Sequence, residues 1–272
     1  MANKEKLAFI GAGKMVTAIV SSLLRSQSFT AGQIICCSAK DGTSEKLAAA
    51  TGIKRANSLA EIFDFQPSLL ILGCKPQQLD SISKSLDGQK VDCLVLSIMA
   101  GIPLDRLSIT FPDACNIIRS MPNTPGQIGE GITGYVFSKP PTPKDQSLVT
   151  DVLSALGKSA KLQSEEDIDR VTAVSGSGPA YLFEFACALE AAAKEIGLAD
   201  PLAHQFAIQT ITGSAKLLAE SKLHPEELRD QVTSPNGTTQ AALDSFQSNA
   251  LREIVYKAVK AARERSVELS RA

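Results

Sequence analysis

Short apolar runs alternate with amphipathic stretches along the first part of the chain. The runs typical of buried strands lie at residues 7–10, 33–38, 69–73, 93–98, 115–119, 133–137 and 159–162. Stretches with helical periodicity separate several of them, at residues 14–26, 44–50, 59–65 and 77–86. Strands that are almost entirely apolar, alternating with helices, predict a parallel sheet that is covered by helices on both faces.

A Pro-rich segment at residues 139–144 interrupts this alternation without ending it. Thr142 followed by Pro143 fits the N-cap and the first position of a helix. We therefore expect a turn inside the first domain and a helix from Pro143 to about residue 156.

The strand patterns stop after Gln163, and the rest of the chain is helical in character. Residues 164–167 (Ser-Glu-Glu-Asp) have the form of a capping box that opens a helix. The stretch from Gly178 to Ile196 is apolar on almost every side and stops at Gly197, a typical helix end. A helix that is apolar all round must be buried on more than one face. A small helical domain has little room for that alone, so the pattern predicts an oligomer.

Composition and charge exclude several classes of protein. The 272 residues carry 28 basic and 29 acidic side chains, with 5% aromatic residues and no Trp, so no nucleic-acid partner is expected. No apolar run approaches the roughly 20 residues that span a bilayer. The first residues lack the features of a signal or transit peptide, and the six cysteines form no Cys-x-x-Cys pair. We expect a cytoplasmic protein with reduced, buried thiols, no membrane association and no metal site.

The segment from Gly11 to Val16 (Gly-Ala-Gly-Lys-Met-Val) follows the first predicted strand and opens a helix. Glycines at such a junction allow a tight turn, so that the N-terminus of the helix can meet a pyrophosphate. The usual third glycine is replaced by Val16, which could push the helix away from the sheet. Cofactor binding is the favoured interpretation, and a plain strand–helix turn is the alternative.

The end of the second predicted strand distinguishes NAD from NADP. An acidic residue there would bind the ribose 2′-hydroxyl, whereas this chain has Ser38-Ala39-Lys40, a hydroxyl and a cation suited to a 2′-phosphate. Asp41 follows at once and could point outward or compete. A 2′-phosphate site, and so NADP, is the favoured interpretation of this segment, and an ordinary polar turn is the alternative.

Four further segments could contribute to a site. Cys74-Lys75-Pro76 ends a strand on the ligand-binding edge of the predicted sheet, and residues 120–126 form a loop stiffened by two prolines. Residues 175–181 and 233–240 are small-residue turns that precede helices. Each could offer free N–H groups to a substrate carboxylate, or could simply cap a helix.

These motifs, in this order, resemble those of the pyrroline-5-carboxylate reductases over the whole chain. The motifs that carry the resemblance are GAGKM at 11–15, CKPQ at 74–77, RSMPNTPG at 119–126, SGSGPAY at 175–181 and QVTSPNGTT at 231–239. The resemblance implies reduction of the cyclic imine of L-pyrroline-5-carboxylate to L-proline by NADPH or NADH, the last step of proline biosynthesis. It also implies an N-terminal Rossmann-type doubly wound sheet (residues 1–163) and a C-terminal all-helical dimerisation and substrate domain (residues 164–272). Homodimers of this family often assemble into a decamer.

The resemblance further implies roles for individual residues. Those expected at the cofactor are Gly11, Ala12, Gly13, Lys14, Met15, Val16, Ser38, Lys40, Asn57, Gly73, Cys74, Lys75, Pro76, Ala100, Gly101 and Gln231. Those expected at the substrate are Glu165, Ser175, Gln231, Gly237, Thr238 and Thr239. Asn236 stands where many members have a second glycine, and Lys40 where many have arginine, which bears on the loop conformation and on the strength of the NADP preference.

The proton that reduction of an imine requires has few candidate donors. His204 and His224, the only two histidines, are expected to be structural or solvated. Thr239 remains, and its hydroxyl could bond the imine nitrogen and relay a proton, while positioning supplies most of the catalysis.

Two other functions are alternatives. A hydroxyacid dehydrogenase of the 6-phosphogluconate type would need a lysine near the start of the interdomain helix, and residues 178–190 contain none. A protein that only senses NADP(H) would need no second anion site, which the turn at 233–240 argues against.

Overall fold

The computed structural model describes residues 5–39, 41–86 and 88–271. The strands are β1 (Leu7–Ile10), β2 (Ile34–Cys37), β3 (Lys54–Arg55), β4 (Leu69–Leu72), β5 (Leu94–Ser97), β6 (Asn116–Met121), β7 (Gly131–Phe137) and β8 (Gly157–Lys161). The helices of the first part of the chain are α1 (Lys14–Arg25), α2 (Thr43–Thr51), α3 (Leu59–Asp64), α4 (Leu79–Leu86), α5 (Leu104–Thr110), α6 (Pro143–Ser154) and α7 (Glu166–Val171). The helices that follow are α8 (Gly178–Glu195), α9 (Asp200–Glu220), α10 (Pro225–Gln231), α11 (Thr238–Ser248) and α12 (Leu251–Arg271).

The eight strands form one sheet in the order β3-β2-β1-β4-β5-β6-β7-β8. All neighbouring strands are parallel except β6 and β7, which are antiparallel. The first six strands have the order of a dinucleotide-binding sheet, in which the chain changes direction between β1 and β4. The predicted Rossmann-type sheet is confirmed.

Apolar side chains alternate between the two faces of the sheet, as the period of two in a strand requires. In β1, Leu7 and Phe9 belong to one core cluster and Ala8 and Ile10 to the other. Helices α1, α2 and α6 pack on the first cluster, and helices α3, α4, α5 and α7 on the second. The sheet is therefore covered on both sides, which explains why its central strands are apolar throughout.

The pattern of the sequence does not predict strand β3 or helix α5. Strand β3 consists of two exposed charged residues at the edge of the sheet, so it has no apolar run to mark it. Helix α5 is only seven residues long and follows a proline. The turn at 139–144 behaves as predicted, because Thr142 caps α6 and accepts a hydrogen bond from the Asp145 N–H.

The contacts divide the chain into two compact units. The first contains residues 1–177 and 262–272, and the second contains residues 178–261. The sequence pattern does not predict that residues 262–272, the end of α12, belong to the first unit. The functional boundary at residues 163 and 164 stays a prediction.

The second unit is entirely helical, and much of its apolar surface is exposed. None of the eighteen residues of α8 is buried in a single chain. Phe183 is 64% exposed and Phe206, on α9, is 59% exposed. Side chains of this size are rarely left in water, so this surface is suited to contact with another protein.

Candidate functional site

A cleft of about 870 Å³ lies at the carboxyl ends of β1, β2 and β4. This is the position at which open parallel sheets bind ligands, beside the point where the strand order reverses. Eight predicted cofactor residues line the cleft: Gly11, Ala12, Gly13, Ser38, Asn57, Gly73, Cys74 and Lys75. Sequence reasoning missed the polar side of α4 and the turns on either side of it, which contribute Gln78, Ser81, Ser85 and Gln89.

The floor of the cleft depends on two glycines that touch each other. Gly11 has a φ of +101°, and a Cβ on it would lie 2.6 Å from the carbonyl carbon of Gly73. A Cβ on Gly73 would lie 2.2 Å from a methyl group of Val16. Gly73 therefore makes room for Val16, which is fully buried in the core beneath α1. Gly73, directly after β4, thus leaves the space that Val16 needs in place of the usual third glycine.

The N-terminus of α1 opens onto this cleft. Gly13 is the N-cap of the helix, and no atom lies within 4 Å of the place where its Cβ would be. The first N–H groups of a helix lack intrahelical partners and carry partial positive charge. The open glycine and the free helix end fit the pyrophosphate of a dinucleotide.

A hydroxyl cluster follows the end of β2. The Ser38 hydroxyl lies 3.0 Å from Oδ1 of Asp41 and 3.0 Å from the Ser44 hydroxyl. Asp41 Oδ1 also accepts hydrogen bonds from the N–H and the hydroxyl of Thr43. The Thr43 hydroxyl and N–H lower the pKa of Asp41, so this carboxylate is charged at neutral pH. Asp41 lines the cleft beside Ser38, and Lys40 lies outside the described residues.

The two thiols in the cleft are poor nucleophiles. Burial raises the pKa of Cys37 to about 12 and that of Cys74 to about 11, so both are protonated at neutral pH. The expectation of buried cysteines is correct for Cys36, Cys37 and Cys93, whereas Cys115 and Cys187 are exposed. All six are free thiols.

The other predicted cofactor residues do not line the described part of the cleft. Lys14 is exposed on the first turn of α1, Met15 packs against the core, and Pro76 begins a 3-10 turn after β4. Ala100 is exposed and Gly101 half-buried, in the loop after β5. Their contacts with a cofactor stay predictions.

A buried arginine, Arg119 in β6, was not singled out from the sequence. It is 3% exposed, and one guanidinium nitrogen, Nη1, lies 2.8 Å from Glu165 Oε1. A second nitrogen, Nη2, lies 3.5 Å from Oδ1 of Asp169, which also accepts a hydrogen bond from the Ser266 hydroxyl at 2.7 Å. A lone arginine within an apolar strand was the available signal. Glu165, a predicted substrate residue, is therefore held by a buried cation.

The segment at 175–181 differs from the predicted turn. Residues Thr172–Gly176 form a π-helical turn directly before α8, and the Ser177 N–H donates to the carbonyl of Thr172. The Ser175 hydroxyl donates to the carbonyl of Val171. The expectation of free N–H groups from a turn that opens a helix was wrong here, because the backbone is already helical. A role of Ser175 at the substrate stays a prediction.

The turn at 233–240 does open a helix. Gly237 is the N-cap of α11 and provides no capping side chain, so the N–H groups of Thr238 and Thr239 begin the helix. A Cβ on Gly237 would lie 2.5 Å from the Ser234 hydroxyl. Asn236 has a φ of +58°, a conformation that asparagine tolerates better than most residues. The departure at Asn236 is thus compatible with the turn.

The remaining predicted residues of the second unit are polar and near helix ends. Gln231 is the exposed last residue of α10. His224 is the N-cap of α10, and exposed His204 lies 2.8 Å from Glu190. These contacts fit structural or solvated roles for both histidines.

Neither a membrane-spanning helix nor a cluster of metal ligands is present in the part of the chain that the structure describes. No helix there is long and apolar enough to cross a membrane. No group of three or more His, Cys, Asp or Glu side chains is arranged to hold a metal ion within those residues.

Comparison with known proteins gives two matches to family models. Residues 165–269 match the family described as pyrroline-5-carboxylate reductase dimerisation, and residues 6–101 match the family described as NADP oxidoreductase coenzyme F420-dependent. Together they extend over both compact units.

Similar proteins match over almost the whole chain. The pyrroline-5-carboxylate reductase of Pseudomonas aeruginosa is 36% identical over 97% of both chains. The structure of the reductase from Coxiella burnetii is 30% identical, covers 98% of this chain and 99% of its own, and has a TM-score of 0.91. The Plasmodium falciparum enzyme, solved with NADP bound, is 27% identical over 99% of this chain and 100% of its own, with a TM-score of 0.80. The chain belongs to the pyrroline-5-carboxylate reductase family.

Proposed function

We propose that this chain reduces L-pyrroline-5-carboxylate to L-proline with NADPH, the last step of proline biosynthesis. The observation that carries the proposal is the match to reductases of this activity along nearly the full length of both chains. The glycine-lined cleft and the open N-terminus of α11 supply sites of the kind that a dinucleotide and a substrate carboxylate require.

The first unit holds the cofactor in this proposal. NADPH supplies the hydride that reduces the C=N bond. The N–H groups at Gly13 and the start of α1 bind its pyrophosphate, while Ser38 and Lys40 bind the 2′-phosphate and favour NADPH over NADH. Asp41 opposes this preference, because its carboxylate lies 3.0 Å from the Ser38 hydroxyl and is charged. NADH is therefore a second, weaker cofactor.

The second unit holds the substrate and its proton donor. The N–H groups of Thr238 and Thr239 bind the substrate carboxylate, because a helix N-terminus favours a negative charge, while the Gly237 N–H donates to the Ser234 carbonyl and holds the turn. The half-buried Thr239 hydroxyl donates to the imine nitrogen and relays the proton. In this proposal Gln231 is a ligand of both substrate and cofactor, and Glu165 and Ser175 are further substrate residues. Neither Cys37 nor Cys74 takes part as a nucleophile, since burial keeps both thiols protonated.

The assembly in this proposal is a cytoplasmic homo-oligomer. The exposed apolar face of α8 and the match of residues 165–269 to a dimerisation family both support a homodimer as its building block. We propose further that dimers associate into a decamer, as the resemblance implies.

The test is turnover by the purified chain. NADPH oxidation should depend on added pyrroline-5-carboxylate and should release one proline for each NADPH consumed. Gly13→Asp is the matched control, because an acidic side chain there would repel the pyrophosphate, and the space around its Cβ position is open. Tight NADPH binding with no proline formed would contradict the proposal and favour a sensing role.

A further inference from the structure

The loop between β5 and α5, residues 98–103, contains Ala100 and Gly101, two residues expected near the cofactor. The start of the loop is bonded to strand β5, because the Ser97 hydroxyl accepts a hydrogen bond from the Met99 N–H. The Ser97 carbonyl in turn accepts one from the buried Ser120 hydroxyl at 2.8 Å. Ser120 follows Arg119 in β6.

The other end of the 98–103 loop is tied to Glu165. The N–H of Leu104, the residue after the loop, donates to Glu165 Oε1 at 2.8 Å. The same oxygen lies 2.8 Å from the Arg119 guanidinium. Arg119 is the cross-strand partner of Ser97. One arginine therefore stands beside the start of the loop and holds the carboxylate that fixes its end.

The middle of the loop is covered by the last turns of α12. Gly101 has a φ of +74°, and a Cβ on it would lie 3.5 Å from Cβ of Leu269. One turn earlier in α12, the buried Ser266 hydroxyl donates to Asp169, the second carboxylate beside Arg119. The covering helix is thus joined to the same charged group.

A contribution to stability does not by itself explain why Arg119 is buried beside Glu165 and Asp169. The desolvation of a buried ion pair offsets much of its attraction, and a well-packed apolar replacement is often equally stable. The Nε of Arg119 is also buried and has no hydrogen-bond partner among the described residues, which is unfavourable.

We infer that Arg119 is a positioning residue that holds the 98–103 loop through Glu165 and thereby sets the position of the cofactor's reactive end. This inference rests on the proposed function, since it assumes that Ala100 and Gly101 face the cofactor. Displacement of a reacting group by about 1 Å can lower a rate roughly 100-fold. The loop's position would therefore matter more for turnover than for cofactor affinity.

The first measurement is hydrogen–deuterium exchange of the ligand-free oligomer. Arg119→Lys keeps the charge but loses the planar fork that reaches two carboxylates. Exchange in the peptide that contains residues 98–104 should become about tenfold faster, the effect expected when a local tie is lost. Glu165→Gln should act in the same direction while leaving Arg119 in place, so the test survives if Arg119→Lys fails to fold. Unchanged exchange in the folded variants would overturn the inference.

The second measurement separates positioning from folding. In Arg119→Lys, kcat should fall about 10- to 100-fold, while the Kd of NADPH changes by less than about threefold. The isotope effect of NADPH deuterated at the transferred position should increase, because hydride transfer becomes slower relative to the other steps. A lower kcat with an unchanged isotope effect would mean fewer active molecules and would overturn the inference.

Asn116→Ala is the matched control. Asn116 is a buried polar residue in the same strand, and its side chain bonds to Ile117, Ser138 and Lys139, none of which belongs to the 98–103 loop. This variant should lower the melting temperature without changing the loop's exchange or the isotope effect. A similar gain in loop exchange in Asn116→Ala would show general loosening of β6 and would contradict the specific role of Arg119. If the wild-type chain failed to turn over, the proposed function would fail, while the exchange measurement would still test the tie between Arg119 and the loop.

Discussion

The two compact units use apolar side chains in opposite ways. In the first unit, strands β1, β2, β4 and β5 are buried at every position, and helices cover both faces of the sheet. In the second unit, α8 has no buried residue, and large apolar side chains of α8, α9 and α12 are exposed, including Leu182, Phe183, Phe206 and Ile254.

This difference indicates which interactions each unit needs in order to be stable. The core of the first unit closes within one chain, so its cofactor cleft is shaped by local packing such as that of Gly11, Gly73 and Val16. The second unit leaves a core-like surface uncovered. Surfaces of this kind belong to obligate assemblies, in which folding and association are inseparable.

The largest change in turnover is expected from a substitution in the second unit that leaves the first unit intact. Thr239→Val removes a hydroxyl at similar volume, so turnover should fall by ~10²–10⁴, the usual contribution of a positioned proton donor. NADPH affinity and the melting temperature should stay close to those of the wild type. Steady-state kinetics and NADPH fluorescence measure these quantities.

Thr51→Val is the control for this prediction, because the Thr51 hydroxyl already bonds to the Leu47 carbonyl within α2. It should retain wild-type turnover. A loss of less than about tenfold in Thr239→Val across the pH range would mean that solvent supplies the proton.

A substitution at Gly11 should instead destabilise the first unit and leave the second unchanged. Gly11→Ala would place a methyl group 2.6 Å from the backbone of Gly73 in a conformation that favours glycine. The free energy of unfolding should fall by about 3 kcal/mol, at the upper end for overpacking, and NADPH binding should be lost. Gly32→Ala should change neither quantity, because no atom lies within 4 Å of its Cβ position. Denaturant titration and fluorescence binding test the pair, and wild-type behaviour of Gly11→Ala would contradict the packing argument.

Substitutions at Lys40 and Asp41 should have smaller effects, and these concern the choice between NADPH and NADH. Lys40→Ala should weaken NADPH binding by ~1.5–3 kcal/mol, the range for hydrogen bonds to charged groups, and leave NADH nearly unchanged. Asp41→Asn should act in the opposite sense and favour NADPH, since it removes a carboxylate beside Ser38. Dissociation constants for both cofactors decide the matter. Equal losses for NADPH and NADH in Lys40→Ala would contradict the assignment of a 2′-phosphate site.

The sequence predicts the central strands β1, β2, β4 and β5 well, because they are buried at every position and leave continuous apolar runs. It also identifies the glycine turns of the cleft, whose conformation is a local property of the chain. It does not reveal the cluster of Arg119, Glu165, Asp169 and Ser266, which joins residues distant in the chain through tertiary packing. The π-helical turn before α8 is equally hidden, since Ser and Gly at 175–178 fit a turn as well as a helix.

The apolar helix α8 illustrates both the success and the limit of pattern analysis. Its extent and its all-round apolar character were evident, and in a single chain its surface is exposed as an oligomer would require. The pattern does not specify the number of chains, because a hydrophobic surface carries no information about the symmetry of the assembly.

We expect the second unit to be completed by another copy of this chain. Native mass spectrometry tests it most directly, since one chain has a mass of 28.8 kDa. Wild-type protein should appear only as multiples of at least two chains, and Phe183→Asp, which places a charge on the exposed face of α8, should give single, partly unfolded chains. A wild-type protein that is folded, active and of single-chain mass would contradict the claim.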